Sequence, residues 1–209
     1  YVTLTCPQTM SIALKTRQAL AHELAMTLRS MLPKARKSIL VVGLGNRNVT
    51  PDSLGPRTAE RILVTRHMTG CLPEDMAQSM ASVSAAAPGV LGVTGMETVE
   101  ILKGMVTHVQ PDAVIAIDAL AARSSSRIAS TIQIADTGIT PGSGVGNHRK
   151  ALNEQTLGVP VIAVGVPLVV YASTIASDAL YALGGGEMVE ERIAACVEQV
   201  VSLKLGEMA

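Results

Sequence analysis

The sequence predicts an α/β fold, a mostly parallel sheet covered by helices on both faces, and three observations carry that prediction. The runs Ile39 to Leu44, Ala113 to Ile117 and Val159 to Val166 are of strand length and carry no charge. Strands buried on both faces read as such continuous apolar runs. Segments with helical spacing alternate with them, the rhythm of strand–helix–strand units in parallel sheets. Finally, 209 residues with 48% hydrophobic and 16% charged content suit one domain with a sizeable core.

Taken in order, residues 8 to 32 set Ile12, Leu20, Leu24, Leu28 and Leu32 near one helical face, with Lys15, Arg17, Glu23 and Arg29 elsewhere. Pro33 ends this helix. The strand Ile39 to Leu44 runs into glycines and a loop, and helical spacing returns over Leu54 to Met68. A helix over Gly95 to Val109, closed by Pro111, precedes the strand Ala113 to Ile117. Thr131 to Ala135 alternates as a strand. After Val159 to Val166, closing helices are expected over Leu168 to Leu183 and Glu187 to Leu205, separated by Gly184-Gly185-Gly186. No repeat, low-complexity tract or linker divides the chain.

Composition narrows the function classes. Phe and Trp are absent and Tyr numbers three, so no aromatic platform for stacking bases exists. The 17 basic and 17 acidic residues cancel, which removes the broad cationic field of a nucleic-acid or membrane-surface binder. Cys6, Cys71 and Cys196 have no paired spacing and read as free thiols in a reducing compartment. The uncharged stretch Gln155 to Ser177 has the length of a membrane span, but Gly158, Pro160, Gly165 and Pro167 punctuate it as strand, turn and helix. The N-terminus shows no basic region leading into an apolar one, so no secretory signal is expected.

Gly43-Leu44-Gly45-Asn46 lies at a strand end but lacks the third glycine of a dinucleotide fingerprint, with Asn48 in its place, and no P-loop lysine follows. No nucleotide cofactor is expected. The glycines instead allow close backbone approach and free Asn46 to Asp52 to form a loop over the strand ends. Asp52 precedes a helix, which gives it a structural alternative as N-cap. Asp118 ends an otherwise apolar strand, where an ionised carboxylate needs a partner or a function. A salt bridge to Arg123 is its structural alternative. Ligands bind outside the carboxyl ends of parallel strands, so carboxylates carried there by two strands face one site.

The glycine-rich connection Asp136 to Lys150 follows a strand and is read as a substrate-binding or site-closing loop. It contributes the supporting candidates Asp136, Gly142, Ser143, Gly144, Asn147 and His148, beside Asn46 and Arg123. Of the histidines at 22, 67, 108 and 148, only His148 sits in such a loop, and no metal-binding spacing occurs. Ser124-Ser125-Ser126 has no nucleophile-elbow context.

The segments Val42 to Pro56, Leu63 to His67, Ala87 to Val90, Ala116 to Arg123 and Gln133 to Asn147 together resemble the germination proteases of spore-forming bacteria, in order from about Tyr1 to about Ile175. The resemblance implies an endopeptidase of small acid-soluble spore proteins in the spore core (cytoplasmic), made as a self-processing zymogen and assembled as a homotetramer. It places two catalytic aspartates at Asp52 and Asp118 and implies no metal or other cofactor. Set against that family, the sequence is expected to leave the propeptide region unrepresented and to be shortened after about Ala176, and Tyr171 stands where an acidic residue is expected. A more distant likeness is to hydrogenase-maturation endopeptidases, through the Gly-x-Gly-Asn strand end and a strand ending in Asp-Ala. It implies a three-layer α/β/α sandwich of phosphorylase/hydrolase-like type. In those relatives two carboxylates and a histidine bind nickel of the substrate protein, a role open here only to His148. Two further readings thus stand beside the peptidase: a non-catalytic or regulatory relative, and a nickel-dependent maturation enzyme.

Overall fold

The computed structural model describes residues 1–6, 13–34, 38–68, 71, 73, 80–142 and 149–182 and joins six strands in one sheet. These are β1 (Val2–Thr5), β2 (Ser38–Gly43), β3 (Ser82–Ala86), β4 (Ala113–Ala122), β5 (Thr131–Ala135) and β6 (Val161–Val170), in the spatial order β1-β5-β6-β4-β2-β3. β3, β2, β4 and β6 run parallel, whereas β5 is antiparallel to β6 and β1 antiparallel to β5.

Side-chain alternation along the strands separates two cores. Leu40, Val42, Val114 and Ala116 face Val99, Leu102 and Val106 of a helix over Thr98–Val109. Ile39, Val41, Ile117 and Val164 face Leu24, Leu28 and Leu32 at the end of the first helix, α1 (Leu14–Met31). Each fully buried side chain of this kind contributes about 1.5–3 kcal/mol. The result is the expected three-layer α/β/α arrangement. The remaining helices in chain order are α2 (Leu54–Ala59), α3 (Leu91–Thr94), α4 (the helix Thr98–Val109), α5 (Glu154–Leu157) and α6 (Ala172–Ala182). None of the described helices is long and apolar enough to cross a membrane.

Several elements differ from the sequence expectation. The helix expected over Leu54 to Met68 stops at Ala59, and only Arg66–Met68 forms a further 3-10 turn. Its continuation contains the β-branched Ile62, Val64 and Thr65, poor helix formers, and Thr65 is drawn to β3, where its N–H donates to Val83 O at 3.0 Å. Sequence reasoning does not single out β1 or β3, although the short β1, Val-Thr-Leu-Thr, does alternate apolar and polar residues. β3 reads Ser-Val-Ser-Ala-Ala and is a strand because it pairs with β2. The fourth helix begins at Thr98 because Gly95 (φ +69°) closes α3 in the left-handed conformation. α6 begins at Ala172, since 168–170 still belong to β6. Most consequentially, β4 does not end at Asp118 but runs on to Ala122, paired with β6 up to Val170. The helix expected over residues 8–32 is described from Leu14 onward, and the one over Glu187 to Leu205, with its preceding glycines, lies outside the described residues.

α2 lies against the carboxyl ends of β2 and β4. A Cβ on Gly43 would overlap the Gly55 carbonyl, and one on Gly55 would overlap the Leu44 carbonyl and lie 2.5 Å from Ile117 O. Glycine at both positions is what lets the chain cross so close to the strand ends, and that crossing sets the residues before α2 over the site.

Candidate active site

Beyond β2 the chain winds back on itself. Gly45 takes φ +110°, Val49 N–H donates to Asn46 O at 3.1 Å, and Asp52 N–H donates to Val49 O at 2.9 Å. The Asn46 N–H donates to Asp52 Oδ2 at 2.6 Å, so the carboxylate is tied to the turn that leaves the strand. A Cβ on Gly45 would lie 2.8 Å from Asp52 Oδ1. Asp52 is not the N-cap of α2. That position belongs to Ser53, and Asp52 closes a 3-10 turn over Thr50–Asp52.

Asp118 is reached from the other direction. It sits within β4 opposite Gly165 of β6, 5% exposed, and its Oδ1 accepts the Ala119 N–H at 2.9 Å. Burial pushes its carboxyl up to about 7, the Ala119 N–H works against that rise, and the nearby negative charge of Asp52 adds to it. No ion pair joins Asp118 to Arg123, which is exposed; among the described residues the salt bridge formed is Arg47 with Glu60.

Asp52 and Asp118 line one cavity of about 600 Å³ at the carboxyl ends of β2 and β4, together with Asn46, Arg123 and Gly142. Asp136 does not reach it and is exposed. The reason is topological. β5 is antiparallel, with Gln133 level with Gly165 and Ala135 with Ala163, so the strand carries Asp136 back toward the amino ends of its parallel neighbours. Past Asp136 the chain comes back to the cavity at Ile139 to Gly142 and again at Arg149. Ser143, Gly144, Asn147 and His148 lie outside the described residues.

Sequence reasoning missed Arg149, Gly89 and Val90 as cavity residues. Arg149 had a usable signal, a cation closing the glycine-rich connection. Gly89 and Val90 follow β3, itself invisible in the pattern. No histidine lines the cavity among the described residues, and no group of three or more His, Cys, Asp or Glu there is placed to hold a metal ion. The serine run has a structural role. Asp178 of α6 accepts the Ser125 N–H and Ser125 Oγ at 2.6 Å each and Ser124 Oγ at 3.3 Å. Those bonds, led by the Ser125 hydroxyl, hold its carboxyl below the usual range.

Fold and site together define an α/β protein with a cavity at the ends of parallel strands, lined by two carboxylates. A family profile described as germination protease matches residues 3–197, and the chain belongs to that family. Relatives named germination protease include one from Clostridium perfringens, 50% identical over 182 residues (86% of this chain, 56% of the relative). Another, from Bacillus subtilis, is 56% identical over 164 residues (78% of this chain, 45% of the relative). The chain thus spans about half the length of the curated relatives it matches. Among solved structures, a NiFe hydrogenase maturation protease, HycI, from Thermococcus kodakarensis aligns with 19% identity and a TM-score of 0.45, over 84% of this chain and 97% of its own.

Proposed function

We propose that this chain carries the catalytic centre of a germination endopeptidase that hydrolyses small acid-soluble spore proteins in the spore core, working as a homo-oligomer. The observation that carries the reading is one cavity lined by Asp52 and Asp118, with Asp118 pushed up to about 7 by burial and by the charge of its neighbour. Two carboxyls that share a cavity and feel each other's charge do not both ionise readily, so in this reading the pair shares a proton and the buried member holds it.

In this mechanism Asp52, tied to the Asn46 N–H, takes a proton from the attacking water as the new O–C bond forms at the scissile carbonyl. Asp118 donates its proton to the developing oxyanion; as the C–N bond breaks, Asp52 passes the water-derived proton to the leaving amine and a hydroxyl of the intermediate returns its proton to Asp118. Arg123 and Arg149 offer donors to carbonyl and carboxylate oxygens of the bound peptide. Gly142, at φ +70° on the cavity wall, lets a peptide backbone approach closely.

The test is digestion. A purified small acid-soluble spore protein incubated with this chain should give discrete fragments, with or without a chelator present. Intact substrate beside a folded, concentrated sample would sink the proposal, and cleavage abolished by the chelator would replace the two-aspartate mechanism with a metal-dependent one.

A further inference from the structure

β3 is an edge strand, and its hydrogen-bonding pattern is closed at one end and open at the other. Residues of a strand in a parallel pair point both backbone groups alternately toward and away from the neighbour. Val83 points away from β2: its N–H donates to Thr65 Oγ1 at 2.9 Å and its carbonyl accepts the Thr65 N–H at 3.0 Å. Ala81 on the same edge is also taken, its carbonyl accepting Thr65 Oγ1 at 2.5 Å. By the same alternation Ala85 points outward, while Ser84 and Ala86 serve the ladder to β2; Ala87, exposed, is the first residue past the strand. Among the described residues neither Ala85 nor Ala87 makes an outward backbone bond.

This open stretch leads into the cavity. Two and three residues past Ala87, no more than about 7 and about 10 Å of extended chain, Gly89 and Val90 line the space shared by Asp52 and Asp118. Pro88 offers no N–H, and Gly89 at φ +80° turns the chain so that its backbone becomes cavity wall. Ala85 and Ala87 carry the smallest side chains with a Cβ, so an added strand meets little obstruction. Thr65 stops the edge on the far side, which limits what it can pair with to a short segment next to the cavity.

We infer that the Ala85–Ala87 edge of β3 binds an extended segment of the substrate polypeptide as an added strand and feeds its continuation across the two aspartates. This inference rests on the peptidase reading. Main-chain bonds of this kind give affinity that is largely indifferent to sequence.

The experiment is amide hydrogen exchange resolved to single residues on the Asp118→Asn protein, alone and saturated with a small acid-soluble spore protein. The Ala85 and Ala87 amides should exchange freely in the protein alone and slow at least 10-fold on binding, while Val83 and Ala86, already bonded, change little. In parallel, Ala85→Pro removes one outward N–H without breaking the ladder to β2, and should raise KM about 10-fold at nearly unchanged kcat. Bound substrate with Ala85 and Ala87 exchanging as before would overturn the inference, as would protection of both amides in the protein alone. If Ala85→Pro fails to fold, the exchange measurement decides. A wild-type chain that cleaves nothing removes the peptidase reading and this inference with it, whereas cleavage without protection removes the inference alone.

Discussion

Asp52 and Asp118 reach the same cavity by opposite routes. Asp52 rides on a loop that hydrogen-bonds to itself through Asn46 and Val49, and it stays half-buried. Asp118 is held by the sheet, within β4 beside Gly165 of β6 and one residue past the last pairing with β2, and is almost fully removed from water. Local bonds position the first, and they hold a carboxylate at modest cost. Long-range pairing positions the second, and there the buried carboxyl resists ionisation. The proposed acid–base pair needs a member that keeps its proton near neutral pH, and burial fits Asp118 for that part.

The largest expected effect is on turnover. If the two act as a unit, Asp52→Asn and Asp118→Asn should each lower kcat by on the order of 10²–10⁴-fold, and the double variant should be little worse than either single one. Cleavage rates measured beside melting temperatures decide this. Multiplying losses, or a fully active Asp118→Asn protein, would break the pairing.

Stability should separate the two more sharply. The folded Asp118 carboxyl lies near 7 against 3.8 for the free group, so between those values the folded state binds more protons than the unfolded chain. Stability therefore falls as pH rises from about 4 to about 7, by up to about 4 kcal/mol, and stays low above that. Asp118→Asn should abolish this slope and be the more stable protein at pH 8, while Asp52→Asn, which removes only the smaller charge contribution, keeps most of it. Denaturant titrations at pH 5 and pH 8 measure it, and identical slopes in wild type and Asp118→Asn would remove the assigned cause.

A smaller effect is aimed at the loop alone. Gly45→Ala forces a side chain at φ +110° against Asp52 and should cost about 1–3 kcal/mol, with a fall in kcat beyond what the lost stability explains. The control sits far from either carboxylate. Gly104 lies inside α4, where an added Cβ would meet open space, so Gly104→Ala should stabilise by about 0.5–1 kcal/mol and leave cleavage unchanged.

Much of this architecture is legible in the sequence. Ile39 to Leu44 announces itself as a buried strand because a run of apolar residues admits few other fates, and the helix ending at Val109 is marked by spacing and by Pro111. Asp52 and Asp118 stand out because carboxylates at the edge of apolar runs demand explanation. The expectations that failed did so for one reason. β3, with two serines and two alanines, has no apolar signal of its own and becomes a strand through pairing with β2. The segment after Ala59 leaves its helix because Thr65 bonds to Val83.

The sequence by itself determined which stretches are buried and where charge interrupts them, because burial and periodicity are written residue by residue. Only the tertiary structure decided that β4 continues past Asp118, that the antiparallel β5 takes Asp136 away from the cavity, and that Arg149 and Gly89 come to it. Those outcomes depend on which strand lies beside which and in what direction, and hydrogen bonds between distant segments leave no periodic trace in either partner.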